Sequence, residues 1–193
     1  MTDDLASVNP HVVRQSAAET GGEFVRFEST VHPARDAANA TELPHERWGI
    51  DFAGAHVHPD QTERIEVVAG EIEVRVDGAA ETLRVGEEAT IPKNTAHRHW
   101  NATGDPARVI WERSPPYRTE EWAESVYALA QVGHADAEGT PKWLQLLVLF
   151  DEYPDASAYL AGVPASVQRL LALALAPLGR RLGYKGTYHR EDV

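Results

Sequence analysis

The fold of this chain is decided by residues 56–76, which read HVHPDQTERIEVVAGEIEVRV. The last six residues of that stretch alternate charged and apolar side chains, so the apolar ones share one face of an extended strand. Asp77 and Gly78 come next, and this pair favours the tight turn of a β-hairpin. The stretch therefore predicts paired β-strands.

Short alternating segments of the same kind recur on both sides of this hairpin. Many short strands at such spacing are typical of a β-barrel or a β-sandwich. The pattern predicts strands at residues 24–30, 47–55, 64–68, 81–85, 89–91, 97–101 and 107–112.

Beyond Pro116 the hydrophobic period becomes helical. Thr119 followed by two glutamates is typical of a helix start. Further helices are predicted at residues 142–150 and 164–182, and Pro177 is expected to kink or end the last one. Because these helices are apolar on more than one side, we expect them to pack over the barrel or against a second copy of the chain, as a homodimer.

Composition excludes several classes of protein. The 193 residues carry 18 basic and 30 acidic side chains, a formal net charge of −12, which argues against a nucleic-acid-binding role. There is no cysteine, so any metal must be held by histidine and carboxylate. No leader and no apolar run of about 18 residues is visible, which predicts a cytoplasmic protein without a membrane span.

The charge also divides the chain. Residues 1–140 hold 25 acidic and 12 basic side chains, and residues 141–193 hold five and six. We therefore expect an N-terminal arm at 1–22, an acidic β-barrel at 23–114 and a helical extension at 115–193. Only three lysines are present, a composition that suits a high-salt cytoplasm or a bias towards arginine codons equally well.

Four side chains have the character of metal ligands. His56 and His58 are two residues apart, and on a strand this spacing puts both imidazoles on one face. Glu63 begins the next predicted strand, where a turn can return its carboxylate to the two rings. His97 begins a later strand and would complete a set of three nitrogens and one oxygen.

The spacing of these residues resembles that of the cupin superfamily over about residues 47–112. His56-x-His58, four residues, Glu63, six residues and Gly70 match the first cupin motif, except that Ile50 stands where a glycine is expected. The second motif is matched from Gly86 through Pro92 and His97 to Asn101, with Asn94 in place of a glycine. Asparagine is the other residue that tolerates a left-handed turn.

This resemblance implies a mainly β fold, a jelly-roll-type cupin barrel with a helical segment after it. It also implies that His56, His58, Glu63 and His97 surround one divalent ion, which would be Fe, Mn, Ni, Co or Zn.

Strand alternation predicts which side chains line a substrate pocket beside that ion. His99 shares a face with His97 and is either a base near the ion or a structural histidine. Asn101 lies on the same face, where it secures the following turn or contacts substrate. The other pocket residues expected are Trp48, Ile50 and Phe52, in line with the two histidines, and Ile65 and Val67, in line with Glu63.

An ion with four protein ligands keeps two positions open for a small-molecule ligand. Similar cupins suggest a metal-dependent dioxygenase, an oxidoreductase acting on a small apolar or aromatic substrate. Two alternatives stay open, namely a non-catalytic cupin that binds or senses a small ligand, and a metal-dependent isomerase or lyase acting on a keto acid or sugar.

Overall fold

The computed structural model describes residues 11–33, 54–131 and 141–189. These residues form ten strands and three helices, with nine strands before the first helix and the tenth between the second and third. The strands are β1 (His11–Gln15), β2 (Val25–Val31), β3 (His56–Val57), β4 (Thr62–Ala69), β5 (Glu71–Val76), β6 (Ala79–Arg84), β7 (Glu88–Ile91), β8 (His97–Trp100), β9 (Ala107–Ser114) and β10 (Tyr159–Leu160). The helices are α1 (Thr119–Gln131), α2 (Trp143–Glu152) and α3 (Ala165–Arg181).

The described strands form two five-stranded antiparallel sheets. One has the order β1-β2-β9-β4-β7 and the other β10-β3-β8-β5-β6. The predicted mainly β fold with helices after it is therefore confirmed. Strand β1 lies within the part expected as an arm and pairs with β2 at the edge of its sheet.

The hairpin predicted at Asp77 and Gly78 joins β5 to β6. Both residues have a positive φ, 48° and 86°, as the tight primed turns require. Asn94, at the position of the missing motif glycine, also has a positive φ of 60°. Most of the strand predicted at 47–55 lies outside the described residues.

On β4, β5, β7 and β9 alternate residues are buried, and their apolar side chains share one core. On β4 the buried residues are Glu63, Ile65 and Val67, and on β9 they include Trp111 and Arg113. Ionisable side chains therefore face inward at one end of the barrel, while apolar side chains fill the remainder.

The helices pack in two places, α1 against the strands and α3 against α2. Helix α1 places Trp122, Val126 and Leu129 in the same hydrophobic core as the strands. Helix α3 packs instead against α2, where Gly179 allows close approach to Val148 and Leu144. Pro177 lies inside α3 and does not end it. No helix in the described part of the chain has the length and apolar character needed to cross a membrane.

We expect Gly70→Ala to lower the free energy of unfolding by about 2–4 kcal/mol, because two penalties combine there. Gly70 has a φ of +75°, and a Cβ would lie 3.0 Å from both the Cα and the Cβ of Ala107. Gly78 has a φ of +86° with open space around it, so Gly78→Ala should cost only about 1 kcal/mol. Urea denaturation of both variants measures the difference, and equal losses would contradict the packing argument.

Candidate metal centre

The four predicted ligands come together at one end of the barrel, and we call His56, His58, Glu63 and His97 the candidate metal centre. Each offers one ligand atom, and these atoms all lie within 4.8 Å of one another. The ring centroids of His56 and His97 are 4.2 Å apart, and those of the other two pairs are 5.0 and 5.3 Å apart. All four side chains are buried.

Strand pairing explains why residues so distant in sequence meet. His56 on β3 lies opposite His97 on β8, so the register of this pair brings two rings together. The backbone N–H of Asn94 donates to the His58 carbonyl at 2.7 Å and ties the end of the first motif to the second. Glu63 enters from β4, which belongs to the facing sheet.

Gln61 anchors the turn between His58 and Glu63. Its amide nitrogen donates to the Pro115 carbonyl at 2.7 Å and to the Thr119 hydroxyl oxygen at 2.8 Å. Thr119 is the first residue of α1, so the start of the helical segment holds the turn that carries Glu63.

Two of the three imidazoles are oriented by backbone carbonyls. Nδ1 of His97 lies 2.9 Å from the Thr95 carbonyl oxygen, and Nδ1 of His56 lies 3.4 Å from that of Gly54. A carbonyl only accepts, so the ring proton is on Nδ1 and the lone pair of Nε2 is available for a metal ion.

Arg113 is a member of the site that sequence reasoning missed. Its side chain is 2% exposed, its Nε lies 2.7 Å from Oε2 of Glu63, and its Nη1 donates to Nδ1 of His58 at 2.9 Å. The neutral His58 ring therefore carries its proton on Nε2, which lies 3.3 Å from the same carboxylate oxygen. The predicted strand stopped at residue 112, one short of this arginine; a charge on the inward face of β9 was the feature that could have revealed it.

The electrostatics of the site favour neutral imidazoles beside a charged carboxylate. Burial lowers the pKa of His58, and the Arg113 guanidinium lowers it further, to about 3. Burial and the neighbouring rings hold the pKa of His56 well below its usual range. Burial alone would raise the pKa of Glu63, but Arg113 and the adjacent imidazoles outweigh it and hold that pKa well below the usual range.

These residues fit a divalent cation. Nε2 of His97 and Oε1 of Glu63 are fully buried and make no hydrogen bond with the part of the chain that the structure describes, while Nε2 of His58 and Oε2 of Glu63 make only the ion-pair contacts given above. Buried polar atoms are normally satisfied, and a group of orphaned nitrogen and oxygen ligands is what a bound ion would satisfy. The cluster is thus able to hold a metal ion.

The other predicted pocket residues have different surroundings. His99 is buried and meets the Trp111 ring edge-on at a centroid distance of 5.2 Å. Ile65 and Val67 are buried on the same face of β4 as Glu63. Trp48, Ile50 and Phe52 lie outside the described residues.

Asn101 is fully buried and engaged in a turn. Its amide nitrogen donates to the carbonyls of Val31 and Asp105, at 3.0 and 2.7 Å. Its carbonyl oxygen accepts from the backbone N–H and the hydroxyl of Thr103. The side-chain hydrogen-bonding groups of Asn101 therefore all have partners within the chain, which favours its role in securing the turn over a contact with substrate.

Comparison with known proteins identifies the domain that carries this centre. Residues 49–111 match the family model described as "Cupin domain". The protein SchB of Streptomyces halstedii is 32% identical over 85 residues, which cover 44% of this chain and 54% of the relative. The polyketide synthase CurC of Streptomyces cyaneus is 37% identical over 60 residues, 31% of this chain and 39% of the relative. The matches thus span about half, or less, of the curated relatives.

Solved structures similar to this chain include proteins from Halomonas and from Silicibacter pomeroyi. KdgF from a Halomonas species matches with a TM-score of 0.40 and 18% identity, over 54% of this chain and 76% of its own. A sugar phosphate isomerase from a cupin superfamily of Silicibacter pomeroyi matches with a TM-score of 0.40 and 18% identity, over 56% of this chain and 62% of its own.

With a chelator present, the free energy of unfolding should fall as the pH decreases from about 6.5 towards 3. The unfolded chain protonates His58 near its ordinary pKa of 6.5, whereas the folded ring does so only near 3, so the unfolded state binds more protons between these values. The lowered pKa values of His56 and Glu63 act in the same direction.

Each such group contributes up to about 1.4 kcal/mol per pH unit within its own window. The free energy of unfolding, measured from denaturation curves at several pH values, should therefore depend less steeply on pH in His58→Gln than in the wild type. His189 is 52% exposed, so His189→Gln serves as the control and should leave the dependence unchanged. A His58→Gln protein with the same slope as the wild type would refute the assignment.

Proposed function

We propose that this chain, whose residues 49–111 form a cupin domain, is a mononuclear metal-dependent oxygenase that acts on a small, partly apolar or aromatic substrate. The observation that carries the proposal is the buried cluster of His56, His58, Glu63 and His97, whose ligand atoms lie within 4.8 Å of one another and include unsatisfied atoms on Glu63 and His97. Three nitrogens and one carboxylate oxygen suit Fe(II), Mn(II), Co(II) or Ni(II) with positions left for other ligands.

In this proposal the bound ion supplies Lewis acidity and a common template for substrate oxygen and dioxygen. His56 and His97 offer Nε2, because backbone carbonyls fix the proton on Nδ1. Arg113 keeps Glu63 as a carboxylate, and burial keeps water away from the ligand atoms. His99 lies two residues after His97 on the same buried face of β8, where it is suited to accept a proton from a bound substrate.

The substrate class follows from the side chains next to the centre. Among the described residues, the inner face beyond the four ligands carries apolar and aromatic side chains such as Ile65, Val67 and Trp111, with His99 and Arg113 as polar members. Such a surface favours an apolar or aromatic substrate over a sugar. One curated relative is named a polyketide synthase, and polyketides carry ketones on alternate carbons, which enolise and chelate metals readily. We therefore favour 1,3-diketones and phenols as test substrates.

Untagged protein purified without chelator should contain about one divalent ion per chain, and His97→Ala should lose it while its circular dichroism is retained. Removing a ligand should cost more than the roughly 10- to 100-fold in affinity that is lost with a residue that only orients a ligand. His189→Ala is the control, because its side chain is 52% exposed. Oxygen uptake with diketones and phenols should exceed that of the metal-free protein; an absence of stoichiometric metal, or uptake equal to that baseline, would refute the proposal.

The same centre also supports a metal-dependent isomerase or lyase, because a bound carbonyl is polarised whether or not oxygen is present. His99, the additional buried imidazole on β8, is the base that such a reaction requires. Anaerobic turnover of the same substrates separates this reaction from oxygenation. Ligand binding without turnover under either atmosphere would identify the third alternative, a binding or sensing cupin.

We also propose that the chain forms a homodimer through the outer face of α3. This helix buries one narrow face, which includes Gln168, Ala172 and Ala176, and exposes several large apolar side chains on the opposite face. Four of the exposed apolar residues, namely Val167, Leu171, Leu178 and Leu182 just past the end of α3, are spaced symmetrically about the bond between Ala174 and Leu175. In an antiparallel pair of α3 helices this spacing sets Leu171 against Leu178 of the second copy and Val167 against Leu182.

The double variant Leu171→Lys, Leu178→Lys should therefore be monomeric, since two charges would enter the centre of the apolar contact. Light scattering after size exclusion measures the mass. Val85 is 63% exposed on the barrel rather than on α3, so Val85→Lys is the matched control and should remain dimeric. A monomeric wild type at micromolar concentration would contradict the proposed interface.

A further inference from the structure

We propose that Arg113 makes the candidate metal centre retain its ion together with an anionic chelating ligand, so that the substrate binds through an enolate, phenolate or carboxylate oxygen. The proposal assigns Arg113 as a residue that selects the charge of the ligand. It rests on the proposed function, because it requires a divalent ion at the centre.

The first step is the charge of the buried group. Three neutral imidazoles contribute nothing, the Glu63 carboxylate contributes one negative charge, and Arg113 cancels it from a distance of 2.7 Å. A divalent ion therefore adds two positive charges that the centre itself does not neutralise. An uncompensated charge in a buried site is strongly disfavoured, so an anion at the remaining coordination positions stabilises the loaded centre.

The second step is that the arginine charge stays in place. A guanidinium is not deprotonated in proteins, and this one is 2% exposed. Its Nη1 donates to Nδ1 of His58, and its carbon lies 5.9 and 5.8 Å from the ring centroids of Trp111 and Trp122. Because Glu63, His58 and the two indoles surround this buried guanidinium, we expect it to stay beside the centre when an ion enters.

A second donor points to the same kind of ligand. Nε1 of Trp111 is fully buried and has no hydrogen-bond acceptor among the described residues. Trp111 lies two residues before Arg113 on β9, on the same inward face, and contacts the ring of His99. An unsatisfied buried donor is costly, and a ligand oxygen is the acceptor that this part of the interior lacks.

Cobalt(II) titrations of the wild-type protein test the proposal with two small chelators of equal size. Glycolate carries a negative charge, and glycolamide is its neutral counterpart. At constant ionic strength, glycolate should raise the apparent affinity for Co(II) by about tenfold or more, within the usual range of coupling between two ligands. Glycolamide should leave it within about twofold, because it brings no charge.

Variants identify the residue responsible. Arg113→Met removes the charge, so it should bind Co(II) alone about tenfold more tightly than the wild type and lose most of the glycolate effect. Arg113→Lys should keep the wild-type pattern, since it keeps the charge. Arg108→Met changes the net charge equally from the outward face of the same strand, where Arg108 is 44% exposed, and should behave as the wild type.

The outcomes separate the two proposals. If the wild type binds no Co(II), both the metal function and the role of Arg113 fail. If it binds Co(II) with equal affinity in glycolate and glycolamide, the role of Arg113 is overturned while the metal function stands; this arm needs no variant and so does not depend on whether Arg113→Met folds. If Arg113→Met and Arg113→Lys both weaken Co(II) binding, Arg113 only orients Glu63 and His58, and the proposal is again overturned.

Discussion

A buried ion pair between Glu63 and Arg113 is the constraint on which this structure depends. The two residues lie directly opposite each other in the register of β4 and β9, and both are almost fully buried. Separating two buried charges is costly, so the pair fixes the register of two central strands as well as the protonation of the carboxylate. A shift of one strand by one residue would turn its charge and its apolar side chains outward and leave the other charge buried without a partner, so the pair also specifies the inner face of each strand.

The ion pair makes the three imidazoles unequal. His56 and His97 are oriented by carbonyl oxygens, which fix a proton on the outer nitrogen and leave the inner nitrogen as a ligand. The outer nitrogen of His58 faces a guanidinium, which reverses the tautomer and turns an N–H towards Glu63. Two rings are therefore ready for a metal ion, and the third is held in a network with the carboxylate. A metal ion that binds Nε2 of His58 has to displace the proton on that nitrogen and so changes the contacts among Arg113, His58 and Glu63. The charge of the ligand that enters with the ion therefore affects the stability of the loaded centre.

Much of this arrangement is encoded in local sequence, and the remainder is not. The alternation over 71–76 and the Asp-Gly turn specify β5 and its hairpin, because these features depend only on backbone period and turn geometry. Strand period also puts His56 and His58 on one face, whereas the full set of four residues is what the resemblance to the cupin motifs implies. Arg113 could not be found in the same way, since its meaning comes from the strand opposite to it and not from its neighbours in sequence. Pro177 is predicted to kink or end α3, and the helix in fact continues past it to Arg181, with Ala176 and Gly179 buried on either side.

The helical segment belongs to the site as much as the strands do. Trp122 of α1 packs beside the guanidinium of Arg113, and Thr119 accepts the hydrogen bond from Gln61 that anchors the turn before Glu63. Helix α1 thus supports both members of the buried ion pair from outside the barrel, one through an indole ring and one through a turn. The residues of the centre come from 56–97, but the charge that balances them is held in position by residues that follow the cupin match. We infer that the barrel without α1 would leave Arg113 uncovered and its carboxylate partner without a fixed position, so the strands that carry the centre and the first helix act as one structural unit.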